Sequence, residues 1–412
     1  MKLSYLLKIG AVCLLPATGL AQGVLFRGVG AINEGMGGAG IAAPIDSAGA
    51  VYGNPAALTG LVDNEVAVSM GFLLPDSSVA SQIKSMPATY AKESTQGKVH
   101  FCPIVSGAYR MKKESPLTFG IMVGGVGGAS VNYHAADPSY TNPILQGRHR
   151  KAEVVVMQAL PTVSYAVNDN LSLGLSVASG IFSIKVDPMP FGQSPSSPLL
   201  DSDTAYTYGI GVNFGAYYDF KNHFKVGFLL KSPMWADSFK FAGADPVTGA
   251  HTRETFNFNL PMVVGGGVSY DGFKNWLLAF DIRYFDYHNT RGFKSVEDQN
   301  GNIAGLGWDS ICSFTFGAQY DVTKDLKVRA GYCFNENPIP GKVQYANVAS
   351  PMFIQHVVTI GATYALPQNF DVSLAWAHAF KNSVSGDFAN GAGRVTNTVN
   401  ADTVFVSITK RF

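Results

Sequence analysis

The chain has 412 residues, of which 47% are hydrophobic and only 14% charged, and its formal net charge is +1. Soluble domains usually carry about 25% charged residues, and a near-zero net charge argues against a surface that binds nucleic acid. Beyond the N-terminus no apolar run approaches the roughly 18 residues of a spanning helix, which excludes a bundle of transmembrane helices. A closed β-barrel is the remaining structure that satisfies every backbone polar group inside a bilayer.

Residues 1–21 have the pattern of a secretory signal peptide. Lys2 and Lys8 precede an apolar run over residues 9–15, and small residues follow as far as Ala21. A basic, an apolar and a small-residue region in this order are typical of a cleaved export signal, so we expect cleavage after Ala21. Three cysteines remain beyond it, too few for a disulfide framework. They are Cys102, Cys312 and Cys333.

Residues 22–64 are dense in Gly and Ala and lack strand-like alternation until Glu65. A barrel of fourteen strands, as predicted for the rest of the chain, encloses a lumen too wide for wall side chains to fill. We therefore interpret this segment as an N-terminal hatch, a plug inside the barrel. Residues 35–40 also match the spacing of a dinucleotide-binding loop, but they follow the signal peptide and Pro44 interrupts any helix after them. We therefore favour glycines that allow compact packing, and expect no cofactor.

Residues 65–412 are predicted to form fourteen antiparallel strands, in which segments of alternating polarity are separated in turn by short and by long connections. The strict alternation of short and long connections is the pattern of an outer-membrane barrel, which has short periplasmic turns and long external loops. The fold class is therefore all-β, a transmembrane antiparallel barrel with a hatch. The predicted short turns are residues 111–115, 167–170, 221–223, 271–275, 322–325 and 367–369. The predicted long connections are residues 75–98, 126–152, 187–204, 242–252, 289–309, 336–353 and 381–400.

Face alternation supports this count, because each wall strand must show apolar residues to lipid at every second position. Residues 276–284, 326–334 and 370–380 do so, and only His378 is a polar residue on a predicted lipid-facing side. The same parity turns Cys312 towards lipid and Cys333 towards the lumen, so a disulfide between them is not expected. The last strand alternates up to Phe412, which resembles the outer-membrane assembly signal and makes the barrel-assembly machinery an expected partner.

Several motifs occur along the mature chain in a fixed order. They are Gly35-Met36-Gly37-Gly38-Ala39-Gly40-Ile41-Ala42, Asp46-Ser47-Ala48-Gly49, Asn54-Pro55-Ala56-Ala57-Leu58, Lys231-Ser232-Pro233, Leu260-Pro261 with residues 265–270, residues 276–284 with Asp281, and Arg329-Ala330-Gly331-Tyr332 with Pro338. In this order they resemble the FadL/TodX family of outer-membrane transporters for long-chain fatty acids and other hydrophobic compounds. The Asn-Pro-Ala triplet is the hallmark of that family, and the resemblance covers nearly the whole mature chain.

The resemblance implies a monomer in the outer membrane of a Gram-negative bacterium, with a hatch that blocks the lumen. Its ligand would be a fatty acid or an aromatic or aliphatic hydrocarbon, which is released sideways into outer-membrane lipid. Detergent would occupy the same site in crystals. In that family the hatch motif, here Asn54, Pro55 and Ala56, contacts an inward kink in the third strand. Glycines inside a strand mark bends, and the candidate kink residues are equally able to begin the following loop. They are Gly120, Gly124 and Gly125.

The resemblance also places the extreme N-terminus near the ligand pocket, which makes Val24, Leu25 and Phe26 candidate ligand-binding residues. Arg283, Arg329 and Lys327 face the predicted lumen and could bind a carboxylate by charge-assisted hydrogen bonds. The alternative is that Asp281 pairs with Arg283 and that these charges anchor the hatch. Residues 189–191 of an external loop offer an apolar landing surface.

Three other functions are alternatives to hydrophobic transport. A general diffusion porin would share the barrel but should lack the hatch, and a structural or adhesive barrel would need none. A hydrolase would need a nucleophile and a base, and no Ser, His and acid occur at a recognisable spacing. We therefore expect a non-enzymatic protein with no catalytic residue and no metal site.

Overall fold

The computed structural model describes residues 22–95, 99–133, 142–145, 149–188, 201–244, 251–297, 299 and 303–412. The predicted signal peptide, residues 1–21, and the predicted landing residues 189–191 lie outside the described residues. Within the described part of the chain, no helix is both long and apolar enough to cross a lipid bilayer.

Strands dominate the described chain, with short helices mainly near the N-terminus. The helices are α1 Gly30–Gly35 and α2 Ser47–Gly53, and the 3₁₀ helices are η1 Pro55–Gly60, η2 Gly341–Asn347 and η3 Pro367–Asn369. The strands are β1 Glu65–Ile83, β2 Met86–Ser94, β3 His100–Tyr109, β4 Leu117–Tyr133, β5 Arg150–Ala159, β6 Thr162–Ala166, β7 Leu171–Asp187, β8 Asp201–Ser202, β9 Ala205–Asp219, β10 Phe224–Lys231, β11 Trp235–Ala236, β12 Phe239–Ala244, β13 His251–Phe256, β14 Val263–Tyr270, β15 Trp276–Phe285, β16 Ile311–Asp321, β17 Leu326–Asn335, β18 His356–Leu366, β19 Phe370–Asp387 and β20 Gly393–Arg411.

Seventeen of these strands form one antiparallel sheet, which closes because β1 pairs with β20 from Glu65↔Arg411 to Ile83↔Gly393. The remaining three, β8, β12 and β13, form a separate sheet. Three pairs, β2 with β3, β5 with β6 and β10 with β11, are the two halves of one interrupted barrel strand, because both halves pair with the same neighbour. The described sheet is therefore a closed barrel of fourteen strands, as the sequence predicted.

The six short turns lie where the sequence placed them, between consecutive strands of the barrel. Three of the predicted long connections are shorter than expected, because their flanking strands run further. Residues 75–98 contain the outer half of β1 and all of β2, β4 continues to Tyr133, and β19 and β20 reach Asp387 and Gly393. In these extensions the inward side chains, such as Val79 and Val395, stay buried, but outward positions such as Arg394 and Thr396 are polar, so the apolar lipid-facing pattern that marks membrane strands ends there.

The alternation of faces is confirmed in the strands used to test it. In β19 the side chains of Phe370, Val372, Leu374, Trp376 and Phe380 are exposed, and the intervening residues are buried. His378 points outward with its apolar neighbours, and its Nδ1 lies 3.0 Å from Oδ1 of Asp402. All three described cysteines are free.

The hatch packs against the barrel where pairs of glycines face each other on neighbouring strands. Gly174↔Gly215, Gly227↔Gly267 and Gly317↔Gly331 are such register pairs. The first pair contacts the backbone of residues 54–56, the second pair contacts Ile41, and the third pair contacts Met36. A Cβ at Gly317 would lie 2.6 Å from the Met36 carbonyl oxygen, so only glycine permits this approach.

Candidate ligand cavity and lateral opening

A cavity of about 210 Å³ lies inside the barrel between the N-terminal segment and the external loops. Gln22, Leu25, Phe26 and Arg27 line it from the hatch side, together with Glu34 of α1. Small or apolar side chains of the wall and the external loops supply most of the remaining lining. They include Leu73, Ala377, Ala379, Phe405, Met352 and Ile354.

The wall beside this cavity is not closed. β3 pairs with β4 from Tyr109↔Phe119 to Ile104↔Gly124. Beyond this point the Cys102 thiol donates to the Gly125 carbonyl at 3.5 Å, and the next backbone pairing between the two chain segments is the bridge Thr95↔Tyr133. Of the described residues in between, none of 99–103 pairs with β4. Phe101 lines the cavity, yet 67% of it is exposed on the barrel exterior. The cavity therefore reaches the outer surface of the barrel between β3 and β4, and we call this gap the lateral opening.

An inward kink of β4 produces the lateral opening. The register of β4 against β5 shifts between Gly125 and Gly127, so Val126 is an extra, fully buried residue. At this point β4 pairs with the N-terminal segment, because the amide of Phe26 donates to the Val126 carbonyl at 2.9 Å and that of Gly128 to the Val24 carbonyl at 3.1 Å. The N-terminus thus replaces β3 as the partner of β4, which is how a bulge can end regular pairing.

Only one of the three predicted kink residues lies at this bulge. Gly125 borders it and lines the cavity, whereas Gly120 and Gly124 pair regularly with β3, so the prediction was wrong for these two. Gly120 instead makes room for the hatch, because a Cβ there would lie 2.6 Å from Cδ1 of Leu58.

The hatch motif does not lie at the kink, which corrects the placement that the resemblance implied. The Asn54 side chain donates to the carbonyls of Ile41 at 2.7 Å and of Ala216 in β9 at 3.0 Å, and its Oδ1 accepts from the amide of Ala56 at 3.1 Å. Residues 54–56 reach β7 and β9 because Gly174 and Gly215 leave space for a backbone there. Asn54 therefore ties the hatch to β9, which lies three strands along the barrel wall from the bulge in β4.

Arg283 holds the hatch and lies away from the cavity lining. Its guanidinium pairs with Asp281 at 2.9 Å and donates to the carbonyls of Arg27 at 3.0 Å and Gly38 at 2.5 Å. Asp281 accepts from the amides of Gly40 and Ile41 at 2.9 and 3.2 Å. The alternative expectation, that Asp281 and Arg283 pair and anchor the hatch, therefore agrees with the structure, because most hydrogen bonds of this buried pair are made to the hatch backbone.

The other two predicted cations are also engaged elsewhere. Arg329 is buried and donates to Gln319 at 2.8 Å and to Thr363 at 2.7 Å. Lys327 is 39% exposed, and its Nζ lies 3.6 Å from Asp321. Neither residue lines the cavity.

An ion pair that sequence reasoning missed lies at the cavity. Arg27 and Glu34 form a short salt bridge, their side chains are 16% and 3% exposed, and both line the cavity. They are the two ionisable residues between positions 22 and 45. Charges that stand alone in an apolar, buried segment are a signal of pairing, and this signal was available in the sequence.

External loops close the cavity from above and hold the N-terminal segment in place. The hydroxyl of Tyr287 donates to the carbonyl of Gln22 at 2.7 Å, and the ring lies 5.1 Å from that of Trp308. Trp308 in turn donates to Asn347 of η2 at 2.7 Å. The cavity roof and the chain segment beneath it are therefore one packed unit.

Asp46 caps α2 at the junction of hatch and barrel. Its carboxylate accepts from the amide of Gly49 at 3.3 Å, and its Oδ1 is buried with no hydrogen-bond partner among the described residues. Burial raises the pKa of Asp46, and the nearby Glu65 carboxylate adds a smaller increase. The Arg329 and Arg411 guanidinium groups oppose this increase only in part, so that the resulting pKa is about 7.

We expect Asp46 to make hatch docking weaker as pH rises. Because its folded pKa lies above the ordinary value of 3.8, the folded state holds a proton that the unfolded state releases, and stability is lost between about pH 4 and 7. Asn caps a helix as well as Asp, so Asp46→Asn should remove this dependence. Between about pH 4 and 7, the hydrogen-exchange protection of residues 47–53 should fall in the wild type. The ratio of protection in the wild type to that in the variant should drop roughly tenfold or more over this interval. Equal pH profiles would contradict this assignment.

Within the described residues, no group of three or more His, Cys, Asp or Glu side chains is arranged to hold a metal ion.

Comparisons with known proteins agree with this architecture. Residues 13–412 match the sequence model of the family described as outer membrane protein transport protein (OMPP1/FadL/TodX). A 47 kDa outer membrane protein of Pasteurella multocida (strain Pm70) is 23% identical over 415 aligned positions, which span 89% of this chain and 90% of that protein.

Solved structures share the fold at low identity. The toluene transporter TodX of P. putida has a TM-score of 0.71 at 17% identity, covering 94% of this chain and 99% of that one. A FadL homologue of Pseudomonas aeruginosa reaches 0.72 at 16% identity, with 95% and 100% coverage. The toluene transporter TbuX of Ralstonia pickettii reaches 0.67 at 17% identity, with 94% and 99% coverage.

Proposed function

The chain belongs to the OMPP1/FadL/TodX family of outer-membrane transport proteins, and from this premise we propose that it takes up small hydrophobic molecules and releases them sideways through the lateral opening. Membership in a family of transport proteins agrees with the expected absence of enzymatic activity. The observation that carries the proposal is one cavity whose lining includes both hatch residues and the exposed Phe101 at the barrel surface.

The sideways route follows from the energetics of apolar solutes. Each buried CH₂ group of a ligand is favoured by about 0.8 kcal/mol over its exposure to water, so a hydrophobic molecule resists crossing a watery passage. A second, polar cavity of about 1120 Å³ lies among the predicted periplasmic turns, and it shares no lining residue with the ligand cavity. A ligand that moves from the apolar cavity into the bilayer never enters that polar space.

The size of the cavity favours a compact ligand. An apolar cavity of about 150 Å³ is large enough to bind benzene, and the cavity here has about 210 Å³. TodX and TbuX are named as toluene transporters, and a single aromatic ring with a short substituent is the ligand class that we propose for this chain. Long-chain fatty acids would have to extend beyond the cavity into the opening.

Four further parts of the proposal concern export, the hatch, the oligomeric state and barrel assembly. We propose that residues 1–21 are removed on export, that residues 22–64 act as the hatch, and that the chain works as a monomer. Phe412 is 70% exposed at the end of the closing strand, which supports recognition by the barrel-assembly machinery.

Uptake by whole cells tests the proposal. Cells expressing the chain should take up labelled toluene faster than labelled oleate. A variant with Asn54→Leu, Pro55→Gly and Ala56→Val should lose roughly tenfold or more of this uptake, because two buried carbonyls lose their hydrogen bonds at about 1–3 kcal/mol each. Asn222→Leu, in an exposed turn, is the matched control and should behave as the wild type.

Barrel assembly is checked by heat-modifiable gel mobility in every strain. Uptake of oleate but not toluene would replace the proposed ligand with a long-chain one. Entry of small polar solutes without uptake of either ligand would identify a general diffusion porin, and an assembled barrel that passes none of them would identify a structural barrel.

A further inference from the structure

A second, much smaller cavity lies beside the N-terminal segment. Leu25 and Phe26 line both this cavity and the ligand cavity, and so they lie between the two. The small cavity is also lined by Tyr52 of α2, Lys231 of β10 and Arg283 of β15, and we call it the Lys231 cavity. Its volume is about 10 Å³, which is room for a single occupant about the size of a water molecule.

The ammonium group of Lys231 has no anionic partner in the described part of the chain. Its Nζ lies 3.6 Å from the centre of the Tyr52 ring. It forms no hydrogen bond and no salt bridge with any described residue, and it is not one of the fully enclosed polar atoms, so it keeps a surface towards the cavity that Lys231 lines. An aromatic ring attracts a cation through its quadrupole, but it supplies no negative charge.

The other cation of the cavity also has a free donor. The two terminal nitrogens of Arg283 donate to Asp281 and to hatch carbonyls. Its Nε donates to no described residue and is not fully enclosed either. Arg283 and Lys231 therefore offer an anion two donors across the same small space.

The charges around the cavity do not balance. Asp281 compensates Arg283, and Glu34 compensates Arg27. The positive charge of Lys231 is left over, and no Asp or Glu is among the described residues that line the cavity. Burial of an uncompensated charge is strongly unfavourable, so the site lacks one negative charge.

The size of the cavity restricts this anion to a small one. A ligand carboxylate would have to bring its hydrocarbon body past Leu25 and Phe26. That segment is fixed on both sides, because the Phe26 amide donates to the Val126 carbonyl at 2.9 Å and the Tyr52 hydroxyl donates to the Phe26 carbonyl at 3.0 Å. Chloride is only slightly larger than a water molecule and carries the single charge that is missing.

We propose that the Lys231 cavity binds one chloride ion between the Lys231 ammonium and the Arg283 guanidinium. The ion completes the charge balance where the hatch meets β10 and β15. It thereby stabilises α2, which carries Tyr52, and the N-terminal segment beside the ligand cavity. This site does not depend on the transport function proposed above.

Hydrogen exchange of the full-length protein in detergent tests the site. The amides of Ala50 and Asn54 donate to the carbonyls of Asp46 and Ala50 and report on α2. They are compared in sodium chloride and in sodium gluconate at the same concentration, because gluconate is too large for the cavity. An ion that binds only the docked hatch stabilises it by mass action, so we expect roughly tenfold higher protection in chloride.

Two variants and one direct measurement locate the ion. Lys231→Met keeps the length of the side chain and removes its charge, and it should abolish the difference between the two salts. Lys225→Met is the matched control on β10, because Lys225 pairs with Asp271 at the other end of that strand, and it should keep the difference. Wild-type crystals soaked in bromide should give an anomalous peak beside Nζ of Lys231, which tests the site even if Lys231→Met fails to fold.

Several results would overturn this proposal. They are equal protection in the two salts, an undiminished chloride effect in Lys231→Met, and the absence of a bromide peak at Lys231. Stronger protection by benzoate than by chloride would also overturn it, and would assign Lys231 to the carboxylate of a larger ligand. Toluene uptake is measured separately, so each of these results leaves the transport proposal standing.

Discussion

We expect toluene uptake by the Gly125→Cys variant to fall about tenfold or more when the chain is oxidised, a change of ~1.4 kcal/mol in the barrier, and to recover on reduction. A Cβ at position 125 would lie 3.8 Å from the Cβ of Cys102, which is the mean separation in disulfides. The two positions lie on opposite edges of the lateral opening. A disulfide there would hold β3 and β4 together and place sulfur in the path of the ligand.

The measurement is initial uptake by cells before and after treatment with dithiothreitol, with disulfide formation followed by gel mobility. Gly125→Ser introduces nearly the same bulk without a bond, and Gly125→Cys with Cys102→Ser removes the bonding partner. Neither control should respond to reduction. Uptake that is unchanged by the disulfide would mean that ligands leave by another route.

The second large effect is expected from Arg283→Met, which should weaken hatch docking by about 3–5 kcal/mol, because it leaves the buried Asp281 carboxylate without its cation. The same change removes hydrogen bonds to the carbonyls of Arg27 and Gly38. Hydrogen exchange at the amides of Gly40 and Ile41, which donate to Asp281, should accelerate by about two orders of magnitude or more.

Two variants make this prediction specific. Asp281→Asn with Arg283→Met removes both charges, and it should recover a large part of the loss because the uncompensated carboxylate causes most of it. Lys327→Met breaks an ion pair that is 39% exposed on both sides, and should cost no more than about 1 kcal/mol. Equal exchange rates in Arg283→Met and Lys327→Met would show that the Asp281–Arg283 pair does not hold the hatch.

Residues of the N-terminal segment show how far sequence patterns reach into the site. Leu25 and Phe26 were expected near the ligand, and both line the cavity, whereas Val24 contributes its carbonyl to β4. The role of Asn54 was misplaced because its partner Ala216 lies 162 positions away. Arg27 was overlooked although its charge stands alone in an apolar segment.

The sequence by itself determined the fourteen strands, their short turns and the division of side chains between the two faces of the wall. These features depend on alternation and turn chemistry within about ten residues. Only the tertiary structure decided where the wall opens, which glycines receive the hatch and which charges meet. Those contacts join residues as far apart as Gly40 and Asp281, which are separated by 241 positions. No local pattern encodes such a meeting, because it follows from the closure of the barrel around a folded N-terminus.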